Sequence, residues 1–121
     1  MNTFEVIGGK KLQGNIIPQG AKNEALQIIS AVLLTPEKVT IKNIPDILDV
    51  NLLIELLGEM NVKIERPQRD TCIFQADDVN IDYLHSEEYR QKSGRLRGSV
   101  MLAGPMLSRF RKAFIPKPGG D

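Results

Sequence analysis

With 121 residues, 41% hydrophobic and 26% charged, the chain has the length of one domain and a globular composition, which excludes a disordered tract. The longest apolar runs, such as Ala31 to Leu34, are too short to span a bilayer and follow no basic-then-apolar leader, so a cytoplasmic protein without membrane contact is expected. Cys72 is the only cysteine, which excludes an internal disulfide and a thiolate metal cluster; beside Ile73 and Phe74 it reads as a buried structural thiol.

The net charge of +1 conceals an asymmetry. Through Glu88 the chain carries 8 Lys/Arg against 14 Asp/Glu, whereas from Tyr89 onward Arg90, Lys92, Arg95, Arg97, Arg109, Arg111, Lys112 and Lys117 face Asp121 alone. A basic end of this kind suits an anionic partner, whether phosphate, nucleotide or nucleic acid, and equally suits a solvated face that meets acidic surface elsewhere.

In chain order, Phe4 and Val6 before Gly8-Gly9, then Leu12 to Ile17 before Pro18, predict two short strands. After Gly20, Ala25, Leu26, Ile29, Val32 and Leu33 form the apolar stripe of a helix that Pro36 ends. Lys38 to Ile44 alternates as a strand. A second helix is expected near Asp49, capped by Asp46 or Asp49, with Val50, Leu53, Ile54 and Leu57 on one face and Gly58 near its end. Val62 to Glu65 and Thr71 to Gln75 predict two more strands around the polar turn from Pro67 to Asp70. The order from Leu12 to Gln75 is βαβαββ.

A third helix is expected to bury Leu96, Val100, Ala103 and Leu107, with a kink at Gly104-Pro105 and first turns weakened by Gly94 and Gly98. Side-chain-free positions there would let a ligand or neighbouring strand approach the backbone. The segment Leu33 to Ile41 aligns with Leu107 to Ile115 at an offset of 74 residues, which predicts a further strand at Lys112 to Ile115. The same offset carries Lys22-Asn23 onto Leu96-Arg97, so each unit sets a cation where a helix begins. Helix starts favour anions, and two facing one cleft would hold a multiply charged one. The second unit stops after its helix and strand, as a fragment would. The end, Pro118-Gly119-Gly120-Asp121, is a glycine turn carrying a carboxylate, open to reading as a surface turn or as a close approach to a ligand.

Gly20-Ala21-Lys22-Asn23, Asn43-Ile44-Pro45 with Asp49-Val50, Arg97-Gly98-Ser99 with Gly104-Pro105, Arg109-Phe110 and Pro118-Gly119-Gly120 together resemble the enolpyruvyl transferases, in the branch that takes UDP-N-acetylglucosamine. The resemblance covers essentially the whole chain. It implies an α+β fold of repeated βαβαββ units, arranged in the whole protein as a two-domain inside-out α/β barrel of which this is an N-terminal fragment. It further implies that residues 1–20 pack in the second domain and that residues 21–121 form an incomplete first domain ending in an active-site loop, with the remainder of the enzyme beyond residue 121.

The activity it implies joins phosphoenolpyruvate to the 3-hydroxyl of UDP-N-acetylglucosamine and releases phosphate, the first committed step of peptidoglycan synthesis, with no cofactor and no metal. By resemblance Lys22 and Asn23 bind phosphoenolpyruvate and Arg97 contacts the UDP-sugar. Read locally, Lys22 and Asn23 are a solvated lysine and a helix cap, and Arg97 a solvated helix end. Arg109 and Arg111 read as ordinary structural or surface cations, and Lys92 and Arg95 take no role from the resemblance. Asp121 falls where most members carry the cysteine that serves as general acid and is alkylated by fosfomycin; an aspartic acid there implies a carboxyl proton donor and resistance to fosfomycin. Two alternatives stand beside this reading: the shikimate-pathway enolpyruvyl transferase, which expects a different helix-start motif, and a small basic nucleic-acid-binding module, which expects clustered aromatics.

Overall fold

The structure, a computed structural model, describes residues 2–117. From Lys22 the chain runs α1 (Lys22–Ala31), β1 (Lys38–Ile41), α2 (Leu48–Glu59), β2 (Lys63–Gln68), β3 (Thr71–Gln75), α3 (Glu87–Arg95) and α4 (Ala103–Phe110). Short 3₁₀ segments extend α1 (Val32–Leu34), lead into α3 (Ile81–His85) and join α3 to α4 (Arg97–Leu102).

The three strands form an antiparallel sheet in the order β1-β3-β2. Its register pairs Val39 and Ile64 with Phe74, and Ile41 with Cys72, so these residues share the face that the helices cover. Phe74 is fully buried there and Cys72 nearly so, in agreement with its reading as a structural thiol. Against that face α1 buries Ala25, Leu26, Ile29 and, through its 3₁₀ extension, Val32 and Leu33, the stripe expected from spacing. Likewise α2 buries Val50, Leu53, Ile54 and Leu57.

That helix ends in a Schellman arrangement, in which Val62 N–H donates to Leu57 O (3.0 Å) and Asn61 N–H to Gly58 O (3.1 Å). Asn61 takes the left-handed conformation this requires, at φ 69°.

Several expected elements differ. Residues 2–21 contain no strand, and Phe4, Val6, Leu12, Ile16 and Ile17 are all at least 90% exposed. Alternation makes a segment able to be a strand, but hydrogen bonding to a neighbouring strand makes it one, and no described strand pairs with these residues. The strand expected at Lys112 to Ile115 is absent for the same reason.

β1 stops at Ile41 because Asn43 turns left-handed, at φ 58°. β2 runs on through Pro67 to Gln68 over a register shift after Glu65. Neither Asp46 nor Asp49 caps α2: Ile47 holds that position without a side-chain bond, and Asp46 instead accepts from Asn51 Nδ2 (2.9 Å) and Arg69 Nη2 (3.1 Å).

The third helix is divided. Leu96 leaves helical geometry, and α4 starts only at Ala103, so Pro105 falls in a first turn where its missing N–H has no intrahelical partner to lose. Between the two, the 3₁₀ segment has three residues per turn. It therefore buries Leu96, Ser99 and Leu102 and then Met106, while Val100 and Leu107, expected inside, are about half exposed. α3 itself, capped by Ser86 Oγ accepting from Tyr89 N–H (3.1 Å), was not foreseen.

Candidate active site

Lys22 and Asn23 are the first residues of α1, brought there because Gly20 and Ala21 run extended against the turn after β1. A Cβ on Gly20 would lie 2.1 Å from Asn43 O, a closeness only glycine permits. Arg97 opens the 3₁₀ segment, and Gly98 beside it packs on α1 so tightly that a Cβ would come within 2.9 Å of Leu26 Cδ1. This contact sets the start of one helical segment against the start of the other.

The result is one open cavity of about 400 Å³ whose walls include Lys22, Asn23, Asp49, Arg97 and Gly98. The three side chains named for binding are thus brought together across 74 residues of sequence, and both cation-bearing helix starts open on the same cleft. A third helix start joins them. Asp49 lies in the first turn of α2 and its Oδ2 is 2.5 Å from Lys22 Nζ. In the sequence Asp49 is a candidate cap and part of the Asp49-Val50 motif that carries the resemblance, and neither reading singles out Lys22. No ion pair reaches Arg97 among the described residues. Asp121, the expected proton donor, lies outside the described residues.

Three other cations of the basic end, Arg90, Lys92 and Arg109, are engaged in internal contacts. Arg109 Nη1 donates to Leu33 O (3.0 Å) and Ala76 O (2.7 Å), and its guanidinium lies 4.7 Å from the Phe110 ring centre, in agreement with a structural role. Arg90 stacks over Phe114 at 5.2 Å. Lys92 is away from the cavity, paired to Glu59 and within 3.5 Å of Glu55 and 3.2 Å of Glu88. Hydrogen bonds that the Lys92 ammonium donates to Glu59, foremost, and to Glu88 hold it above its ordinary pKa. Burial would raise the Glu59 carboxyl, but hydrogen bonds from Lys92 and from Tyr83 (2.5 Å) outweigh it and hold the group below its usual value. These neighbours account for part of the charge asymmetry without any external anion.

Among the described residues no helix is long and apolar enough to cross a membrane, and no group of three His, Cys, Asp or Glu is placed to hold a metal ion.

This helix-covered antiparallel sheet is a fragment of the α+β fold of the enolpyruvyl transferases. The same fold is seen in the crystal structure of the enolpyruvyl transferase NikO from Streptomyces tendae, which matches 84% of this chain and 23% of that one with a TM-score of 0.67 at 23% identity. Residues 6–121 match the family described as EPSP synthase (3-phosphoshikimate 1-carboxyvinyltransferase), and the chain belongs to that family. Over all 121 residues it is 62% identical to the UDP-N-acetylglucosamine 1-carboxyvinyltransferase of Porphyromonas gingivalis and 57% identical to that of Bacteroides thetaiotaomicron. Over 118 residues it is 40% identical to the protein of the same name from Bradyrhizobium diazoefficiens. The chain spans 28% of the length of the first two relatives and 26% of the third.

Proposed function

We propose that the protein to which this chain belongs transfers the enolpyruvyl group of phosphoenolpyruvate to the 3-hydroxyl of UDP-N-acetylglucosamine with release of phosphate, in the cytoplasm, as the first committed step of peptidoglycan synthesis. The observation that carries this reading is the convergence of Lys22, Asn23 and Arg97 on one cavity. The names of the 55–62% identical relatives favour the UDP-sugar over shikimate 3-phosphate as acceptor.

In this reading Lys22 neutralises the phosphate and carboxylate of phosphoenolpyruvate, and Asn23 supplies a neutral donor and acceptor. Arg97 offers its guanidinium to the diphosphate of the UDP-sugar. The 3-hydroxyl gives its proton to a base in the remainder of the enzyme as its oxygen bonds to C2 of the enol and a proton is delivered to C3, giving a tetrahedral intermediate; loss of a C3 proton and cleavage of the bond from C2 to the phosphate oxygen then release phosphate. Asp121 is the donor to C3, a role that requires a carboxyl pKa raised toward the working pH, by burial or by anionic neighbours such as bound phosphoenolpyruvate. Residues 1–20 pack in the second domain of the whole enzyme, a placement supported by the exposure of their apolar side chains. Residues 21–121 belong to the first domain and lead into its active-site loop.

Phosphate release by the full-length protein tests the reading. UDP-N-acetylglucosamine is expected to support turnover and shikimate 3-phosphate is not; the reverse result, or oligonucleotide binding at moderate salt without sugar-nucleotide binding, overturns it. Lys22→Ala is expected to lower kcat/KM for phosphoenolpyruvate by about 10²-fold or more, as loss of a charged donor at a reacting group does. Full activity in Asp121→Ala would remove Asp121 from the role of acid, and a covalent fosfomycin adduct on Asp121 would contradict the expected resistance.

A further inference from the structure

Three helical segments begin at the cavity: α1 with Lys22 and Asn23, the 3₁₀ segment with Arg97 and Gly98, and α2 with Asp49. The starts of α1 and α2 present amide donors and the positive end of a dipole, which attract negative charge. The α1 start and the 3₁₀ segment each add a cation. The third differs, because Asp49 brings its own carboxylate to the start of α2 and holds Lys22 Nζ at 2.5 Å.

Asp49 is about one-third exposed and Lys22 about half, so water and a ligand reach both partners. Arg97, by contrast, has no ion pair among the described residues. Among the described residues, then, one cation of the cavity is ion-paired and the other is not.

We infer that Asp49 is the internal counter-ion of Lys22, a positioning residue that an anionic ligand must displace or share before Lys22 can bind it. The inference rests on the proposed role of Lys22 in anion binding. Its consequence is selectivity. An anion that engages Lys22 alone competes with Asp49 and is held weakly, whereas one that also reaches Asn23 and Arg97 gains contacts for which Asp49 does not compete. Because Asp49 is also favoured by the α2 dipole, it stays at its helix start when Lys22 turns away and remains there to recapture it.

Titration of inorganic phosphate into the full-length protein separates the outcomes. Exchange of a half-exposed ion pair is a small term, so Asp49→Asn is expected to tighten phosphate binding about two- to fivefold. Asp49→Glu, which keeps the charge, is expected to stay within about twofold of the parent, and Lys22→Ala to weaken binding. A purely structural Asp49 would alter the melting temperature without altering phosphate affinity. Unchanged or weaker binding in Asp49→Asn, with Lys22→Ala still weakened, overturns the counter-ion and leaves the proposed function standing. Unchanged binding in Lys22→Ala overturns both. Should Asp49→Asn fail to fold, Asp49→Ser makes the same comparison.

Discussion

Gly20 and Gly98 are the two residues on which the cavity's geometry turns. Gly20 lets the chain pass so close to Asn43 O that a methyl group would sit at 2.1 Å from a backbone atom unable to yield. Gly20→Ala is expected to destabilise by about 3 kcal/mol in chemical denaturation, at the upper end for overpacking, and to lower affinity for phosphoenolpyruvate by moving Lys22. Gly98→Ala meets only the tip of Leu26 at 2.9 Å, a flexible side-chain end, so about 1 kcal/mol is expected there. That a side-chain-free position near Arg97 admits a close neighbour was readable from composition. That the neighbour is Leu26 of α1, and so ties Arg97 to Lys22, was not, because the two residues are far apart in sequence.

At the scale of elements, the segment from Leu96 to Phe110 shows how a period decides a face. Read with 3.6 residues per turn it buries Val100 and Leu107; folded as a 3₁₀ segment and then a helix, it buries Leu102 and Met106 instead. In the 121-residue chain Leu102→Ala is therefore expected to cost about 2–5 kcal/mol, whereas Val100→Ser should stay within about 0.5 kcal/mol. Equal losses would mean that the face is assigned wrongly. α1 and α2 were legible because each is a regular helix whose stripe meets the sheet directly. α3 was not, because it is strongly polar and buries little beyond Tyr89 and Ser93.

At the scale of the molecule, α2, the Ile81–His85 segment and α3 are joined by one polar cluster of Glu59, Tyr83 and Lys92. The Glu59 carboxyl is held below its ordinary value of 4.5, so its contribution to stability is present above that pH and is lost as pH falls through the lower folded value. The stability difference between the parent and Glu59→Gln is thus expected to close below pH 4.5 in acid titration; a constant difference would assign the effect to packing. Tyr83 is raised by burial and by Glu59, and Lys92 by its carboxylates, so their contributions persist to alkaline pH and vanish only as pH rises through their raised values. The exposed segment 4–17 makes a second test at this scale. Its amides are expected to exchange rapidly in the 121-residue chain and slowly in the full-length protein, where a second domain would supply strand partners. Rapid exchange in both would refute the proposed packing of residues 1–20.

The sequence by itself determined the apolar stripes of α1 and α2, the alternation of the sheet, the buried thiol and the resemblance that named Lys22, Asn23 and Arg97, since each of these is written in local spacing or in motif. Only the tertiary structure decided that the three reach one cavity, that the basic end is partly consumed by Glu55, Glu59 and Glu88, and that Lys22 faces Asp49. Local pattern fixes which residues share a face of one element. Charge pairing and strand formation depend on which other element arrives beside it, and that is set by packing between segments far apart in the chain.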